Sequence, residues 1–244
     1  MSAAPRGAAE PPAGGITRSA AKMRAMGITT ASTRLGVTTL GIAAIMVVVP
    51  TASAGYTSSI SAISPAQSKA MTPSVWRKGC PVELAALRAV RVNHRTFRGG
   101  EATGTIVVHQ DVAPAVARIF RSLYRDGVPV RRIQPIEKYK GSDFASIEAD
   151  NTSAFNCRKA TGSGRWSNHA YGKAIDINPI ENPWVEPGGV VYHTASRPFV
   201  KRTPRRGMAV EGGALVRAFD REGWKWGGRW SGTKDYQHFS SDGR

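Results

Sequence analysis

Cysteine and acidic residues are both scarce in this sequence. The two cysteines, Cys80 and Cys157, stand alone in 244 residues with no C-x-x-C pair, which excludes zinc ribbons, thioredoxin-like redox sites and disulfide-dense miniproteins. Seventeen acidic residues face 34 basic ones, a formal charge of +17. An anionic partner is therefore expected, although the charge does not name it. No repeat of fixed period is present, which excludes solenoids and propellers. With 41% hydrophobic and 21% charged residues, the composition is that of an ordinary globular protein, neither disordered nor collagen-like.

Residues 1–54 read as a signal peptide or N-terminal membrane-targeting segment. Arg18, Lys22, Arg24 and Arg34 precede an uncharged run, Leu35–Pro50, and Ala52-Ser53-Ala54 then supplies small residues at cleavage spacing. The run from 35 to 50 is 16 residues long, short of the roughly 20 that span a bilayer. A cleaved signal is thus favoured over a retained anchor, with Met23 and Met26 as alternative starts. The expected location is secreted or cell envelope, membrane-anchored only if the segment stays. Removing 1–54 takes away five basic residues and one acid, so +17 becomes +13. The basicity belongs to the exported part, where anionic cell-wall polymers are the first partners it meets. Nucleic acid is not expected, because no helix-turn-helix, RNP-like or zinc-finger pattern accompanies the charge. Export also permits a disulfide between Cys80 and Cys157. Their separation of 77 residues (157 less 80) makes it worth about 4 kcal/mol in the chain-entropy model. Two buried thiols are the alternative.

Residues 55–72 are rich in Ser, Ala and Thr with little apolar periodicity, which predicts a flexible linker. A single domain over 73–244 follows, since about 170 residues suffice for one core and no second linker appears. Within it, the spacing of Leu84, Leu87 and Val90 predicts a helix over Pro81–Val92, and Gly104–His109 reads as a strand. Val112–Arg125 is the clearest amphipathic helix, with Gly127 ending it. Val128–Ile136 reads as a strand and Glu211–Glu222 as a helix stopped by Gly223. Helices and strands mix without regular alternation, which predicts an α+β fold whose mainly antiparallel sheet is flanked by helices.

Five histidines occur in the chain, and two keep unusual company. His169 lies in Ser167-Asn168-His169-Ala170-Tyr171-Gly172-Lys173-Ala174-Ile175-Asp176-Ile177-Asn178. Here glycine allows a turn, and the following alternation predicts a strand with Ile175 and Ile177 inward and Asp176 on the other face. His238 lies in Asp235-Tyr236-Gln237-His238-Phe239, behind Trp224-Lys225-Trp226-Gly227-Gly228-Arg229-Trp230. Two imidazoles and one carboxylate form a three-ligand set that leaves a fourth position on Zn²⁺ for water, as a hydrolytic site requires. Asp235 is then free to act as base toward that water, whose pKa zinc lowers to about 7.

The order S-x-H-x-x-G-x-A-x-D, then G-W-x-W-G-G-x-W and D-x-x-H-F, resembles the zinc D-alanyl-D-alanine carboxypeptidases and L-alanyl-D-glutamate endopeptidases of the lysostaphin, D-Ala-D-Ala metallopeptidase and hedgehog clan. The resemblance runs from about Val75 to Phe239. It implies one zinc ion held by His169, Asp176 and His238, Asp235 as general base, and peptidoglycan stem peptides as substrate. Arg158, in Ala149–Arg158, takes the place of the family's cation that polarises the scissile carbonyl or holds a substrate carboxylate; a structural pairing with Asp150 or Glu148 is its other reading. Ser167 is a candidate substrate contact or a cap. Many family members carry Glu where this chain has Asp235, one methylene shorter, so its reach must come from the backbone.

The preferred reading is an exported, monomeric D-alanyl-D-alanine carboxypeptidase, with a peptidoglycan endopeptidase, a non-catalytic wall-binding module, a 2-His-1-carboxylate iron oxygenase and a nucleic-acid binder as alternatives. His94, His109 and His193 are read as non-ligands. Trp224, Trp226 and Trp230 are read as packing, with Trp230 a candidate to line a groove. The basic loop Pro198–Arg206 is read either as bordering the cleft or as a plain solvated loop.

Overall fold

A computed structural model describes residues 55–243, and the targeting segment read at 1–54 lies outside the described residues. The chain runs β1 (Ser58–Ala62), α1 (Pro65–Met71), β2 (Leu87–Arg95), β3 (Glu101–His109), α2 (Ala113–Arg125), α3 (Asp143–Glu148), β4 (Ala174–Asp176), β5 (Trp184–Val185), α4 (Ala214–Asp220), β6 (Lys225–Trp226), β7 (Lys234–Asp235) and β8 (His238–Ser240). The strands form three small sheets, ordered β1-β2-β3, β4-β8-β6 and β5-β7. Every pairing between them is antiparallel. The fold is α+β, as the mixed pattern of elements predicts.

The core lies between the first sheet and α2. Val116, Ile119, Phe120 and Leu123 recur at helical spacing on α2 and are all buried, against Val90 and Val92 of β2 and Ile106 and Val108 of β3. Burying side chains of this size contributes about 1.5–3 kcal/mol each before ordering costs. The same cluster takes in Ile175, Leu215, Phe219, Trp224, Trp226 and Phe239, so the strands that carry Asp176 and His238 are anchored in the main core. A second apolar cluster gathers Met71, Val75, Leu87, Val107, Ile136 and Phe155 around Cys157. There Cys80 and Cys157 are joined as a disulfide.

Four sequence expectations are corrected. Residues 55–72 are not a structureless linker: β1 pairs with β2 from Ser58↔Val92 to Ala62↔Arg88, and α1 follows, capped by Ser64. The five side chains of β1 are all exposed, so the backbone ladder orders this stretch, a bond that leaves no trace in apolar patterning. Met71 then pins α1 into the second cluster. The helix expected over Pro81–Val92 is a short 3₁₀ turn, Leu84–Ala86, running into β2. Apolar residues three apart suit a helix, but Val90 and Val92 also alternate as a strand does, and pairing with β1 and β3 decides for the strand. The strand expected at Val128–Ile136 is extended chain that makes one isolated bridge, Ile133↔Thr152. The late helix is present but shorter than Glu211–Glu222, because Gly212 and Gly213 precede its first turn.

Candidate metal centre

His169 sits on a 3₁₀ turn, Asn168–Tyr171, whose first residue is preceded by the capping Ser167; the Ser167 hydroxyl accepts from the His169 N–H at 3.3 Å. Gly172 closes the turn at φ 65, donating its N–H to the carbonyls of Asn168 and His169. A Cβ there would meet the His109 nitrogen at 2.6 Å, while the Gly172 carbonyl accepts from that same N–H at 2.9 Å. Glycine is thus required both for the left-handed backbone and for docking the turn on the end of β3. Asp176 and His238 arrive differently. They are direct cross-strand partners in the β4–β8 ladder, and paired residues present their side chains on one face. The backbone of Asp176 also exchanges two hydrogen bonds with Ser153, at 2.9 and 3.1 Å.

These elements bring the three side chains together. His169 Nε2 lies 3.2 Å from Asp176 Oδ2 and 3.2 Å from His238 Nδ1, and His238 Nδ1 lies 3.3 Å from Asp176 Oδ1. Both histidines are buried. Among the described residues, this is the one group of three or more His, Cys, Asp or Glu donors close enough to share an ion. Tetrahedral bonds of about 2.0–2.1 Å place ligand atoms about 3.3–3.4 Å apart, which the triangle matches. Proton accounting points the same way. His169 Nδ1 is 2.7 Å from the Ala154 carbonyl, which can only accept, so this nitrogen carries the proton and Nε2 of the neutral ring carries a lone pair. That lone pair faces a carboxylate oxygen, an arrangement a cation relieves. A carbonyl bond of this kind is what fixes the ring of a histidine that could ligate a metal. The residues present therefore fit a zinc ion.

Burial works to raise the Asp176 pKa, but when the rings are protonated, the charge and hydrogen bond of His169 first and then those of His238 outweigh it and hold the carboxyl well below its usual range. Asp235 behaves oppositely. It lies on β7 opposite Trp184 of β5, with Gly227 packed so closely behind that a Cβ would meet the Asp235 carbonyl oxygen at 2.5 Å. Burial, and then the charge of Asp176, push its carboxyl up to about 6. Its Oδ1 is buried without a hydrogen-bond partner.

A cavity of about 760 Å³ opens on this centre and is lined by all six residues singled out from the sequence: His169, Asp176, His238, Asp235, Arg158 and Ser167. Arg158 pairs with neither of its expected partners. Asp150 is held by Arg131 at 3.0 Å and Glu148 by His193 at 2.5 Å, and Arg158 bonds instead to Asp143 at the start of α3. Trp230 lines the cavity with its ring 5.3 Å from that of His238, while Trp224 and Trp226 are core residues. His94 is buried against the Arg95 carbonyl, and burial lowers its pKa; His109 pairs with Asp111 at 3.2 Å. Neither belongs to the donor triangle.

Several lining residues were missed in the sequence. His193 lies outside the donor triangle, yet it forms part of the wall, as do Ser196, Gln237, Trp166, Trp184 and Tyr192; Gln237 stands at an unspecified position of D-x-x-H-F, and the others come from separate segments that no local motif marks. The basic loop Pro198–Arg206 contributes no residue to the lining. Arg202 turns inward instead, donating to the carbonyls of Glu181 and Ala209 and to Asn182 Oδ1, and burial lowers its pKa to about 10.

Residues 161–241 match the family model described as D-alanyl-D-alanine carboxypeptidase. Over those residues the family resemblance holds. The carboxypeptidase-like stretch contains Ser167, His169, Asp176, Asp235 and His238 and supports a hydrolase of the metallopeptidase type; it is narrower than Val75–Phe239 and begins just after Arg158. No curated protein and no solved structure matches the chain.

Proposed function

We propose that the protein is an exported zinc metallopeptidase that hydrolyses peptidoglycan stem peptides, acting as a D-alanyl-D-alanine carboxypeptidase. One observation carries this reading: a triangle of two buried imidazoles and a carboxylate shares a cavity with a second, buried carboxylate one of whose oxygens has no hydrogen-bond partner. A non-catalytic wall-binding module has no use for that second group, whose desolvation costs stability. Zinc, when bound, supplies a Lewis acid and acidifies a water molecule.

The protein's own residues do the rest. The Ala154 carbonyl orients His169, and the β4–β8 register holds Asp176 beside His238. Asp235, with a carboxyl pushed up to about 6, is placed to take a proton from water and pass it to the leaving amine, a role suited to a group titrating near the working pH. Arg158 offers a guanidinium on the cavity wall for a substrate carboxylate, in exchange for its bond to Asp143. The Cys80–Cys157 disulfide and the high positive charge suit an oxidising compartment bounded by anionic polymers. Among the described residues, no helix is long and apolar enough to cross a membrane.

The test is metal analysis of the purified protein followed by mass analysis of digested muropeptides. Loss of a terminal D-alanine, dependent on stoichiometric zinc, is expected. Release between L-alanine and D-glutamate makes the protein an endopeptidase instead, and bound iron with no hydrolysis overturns the proposal.

A further inference from the structure

Among the described residues, few buried side-chain atoms lack a hydrogen-bond partner, and four of them belong to residues of the cavity wall: Arg158 Nε, which ion-pairs with Asp143, and Asp235 Oδ1, Gln237 Oε1 and Ser196 Oγ. Asp235 is accounted for as the base. A serine hydroxyl rotates and can both donate and accept, so Ser196 discriminates little. Gln237 is more demanding. It is nine-tenths buried, immediately precedes the ligand His238, and its own carbonyl accepts from the Ile177 N–H at 3.0 Å, next to the strand that carries Asp176. Its side-chain Oε1 is buried on the cavity wall with no donor to accept from.

A buried carbonyl in that condition calls for a donor from outside. Resting on the peptidase reading above, the geometry points to Gln237 as a substrate-binding residue whose Oε1 accepts a backbone N–H of the bound peptide. The substrate class limits the choice of donor. Alanine side chains carry no polar hydrogen, so an alanyl peptide reaches this oxygen only through its backbone amide. Gln237 thus reads a peptide link beside the scissile bond.

The experiment uses the full zinc-loaded protein, a stem pentapeptide, and analogues in which each non-scissile amide in turn is replaced by an ester. An ester keeps the shape of the chain and removes the N–H. For wild type, one position is expected to lose about tenfold or more in kcat/KM, the size of a lost hydrogen bond to a buried acceptor. Gln237→Met is expected to lose a similar factor on the all-amide peptide and, at that one position, to show less than a twofold further loss on the ester. Zinc content of the variant reports that the site has folded. A wild type that cleaves the pentapeptide with no sensitive ester position overturns the assignment without needing the variant, as does an ester penalty undiminished in Gln237→Met. A zinc-loaded wild type that cleaves no peptide overturns the peptidase reading and this inference with it, so the two failures are told apart by wild-type activity alone.

Discussion

Asp235 is the place where function and stability oppose each other. Its carboxyl is pushed from the ordinary 3.8 up to about 6, by burial first and then by the charge of Asp176. A carboxylate whose folded pKa lies above its unfolded one favours the folded state less as it ionises. The penalty is absent below about pH 4, grows through the interval, and is complete above about 6. At about 1.4 kcal/mol per pKa unit this corresponds to about 3 kcal/mol at pH 8. Asp235→Asn, nearly the same shape without the charge, is therefore expected to stabilise the metal-free protein by up to about 3 kcal/mol at pH 8. In a domain of this size that is a rise in Tm of about 6–12 °C. The gain should vanish near pH 4, where the wild-type group is protonated as well. Scanning calorimetry with chelator at the two pH values measures it directly. The same variant should bind zinc stoichiometrically and lose about 10²–10⁴-fold in hydrolysis, the range for a positioned acid–base group. Equal Tm values for variant and wild type at pH 8 would refute the claim that this carboxylate is held against its solvation preference.

His169→Ala should lose both zinc and hydrolysis, and full metal occupancy in the purified variant would remove His169 from the ligand set. The acid limb of the pH–kcat/KM profile should fall at or below about pH 6, because a bound dication can only lower the Asp235 pKa from its metal-free value of about 6; a midpoint above 7 would assign the limb to another group. Replacing Cys80 and Cys157 by serine, which opens a link across a separation of 77 residues, should cost about 4 kcal/mol in the chain-entropy model, read from denaturant midpoints, and an unchanged midpoint would count against the bridge. Gly172→Ala, which must force a Cβ to within 2.6 Å of the His109 nitrogen at φ 65, should destabilise by more than about 1 kcal/mol and weaken zinc binding. Unaltered zinc affinity there would mean that the His169 turn does not depend on its docking to β3.

What could be read from the chain alone was whatever is written locally. The candidate ligands were legible because the order S-x-H-x-x-G-x-A-x-D, then D-x-x-H-F, resembles a known family, where the spacing of His169 and Asp176 alone is common by chance, and the apolar stripe of α2 was legible because 3.6-residue periodicity has no rival over thirteen residues. Short runs were not. Leu84, Leu87 and Val90 fit a helical spacing while Val90 and Val92 alternate as in a strand, and only the neighbouring strands of the sheet decide between the two; β1 is held by backbone bonds to which side chains are blind. The tertiary structure alone decided what meets in the cavity. It paired Asp176 with His238 across 62 residues, gave Arg158 to Asp143, turned Arg202 inward, and left Gln237 and Asp235 with buried oxygens facing no donor. Distances between segments depend on register and on which loops share a wall, and neither is encoded in any window of sequence short enough to scan by eye.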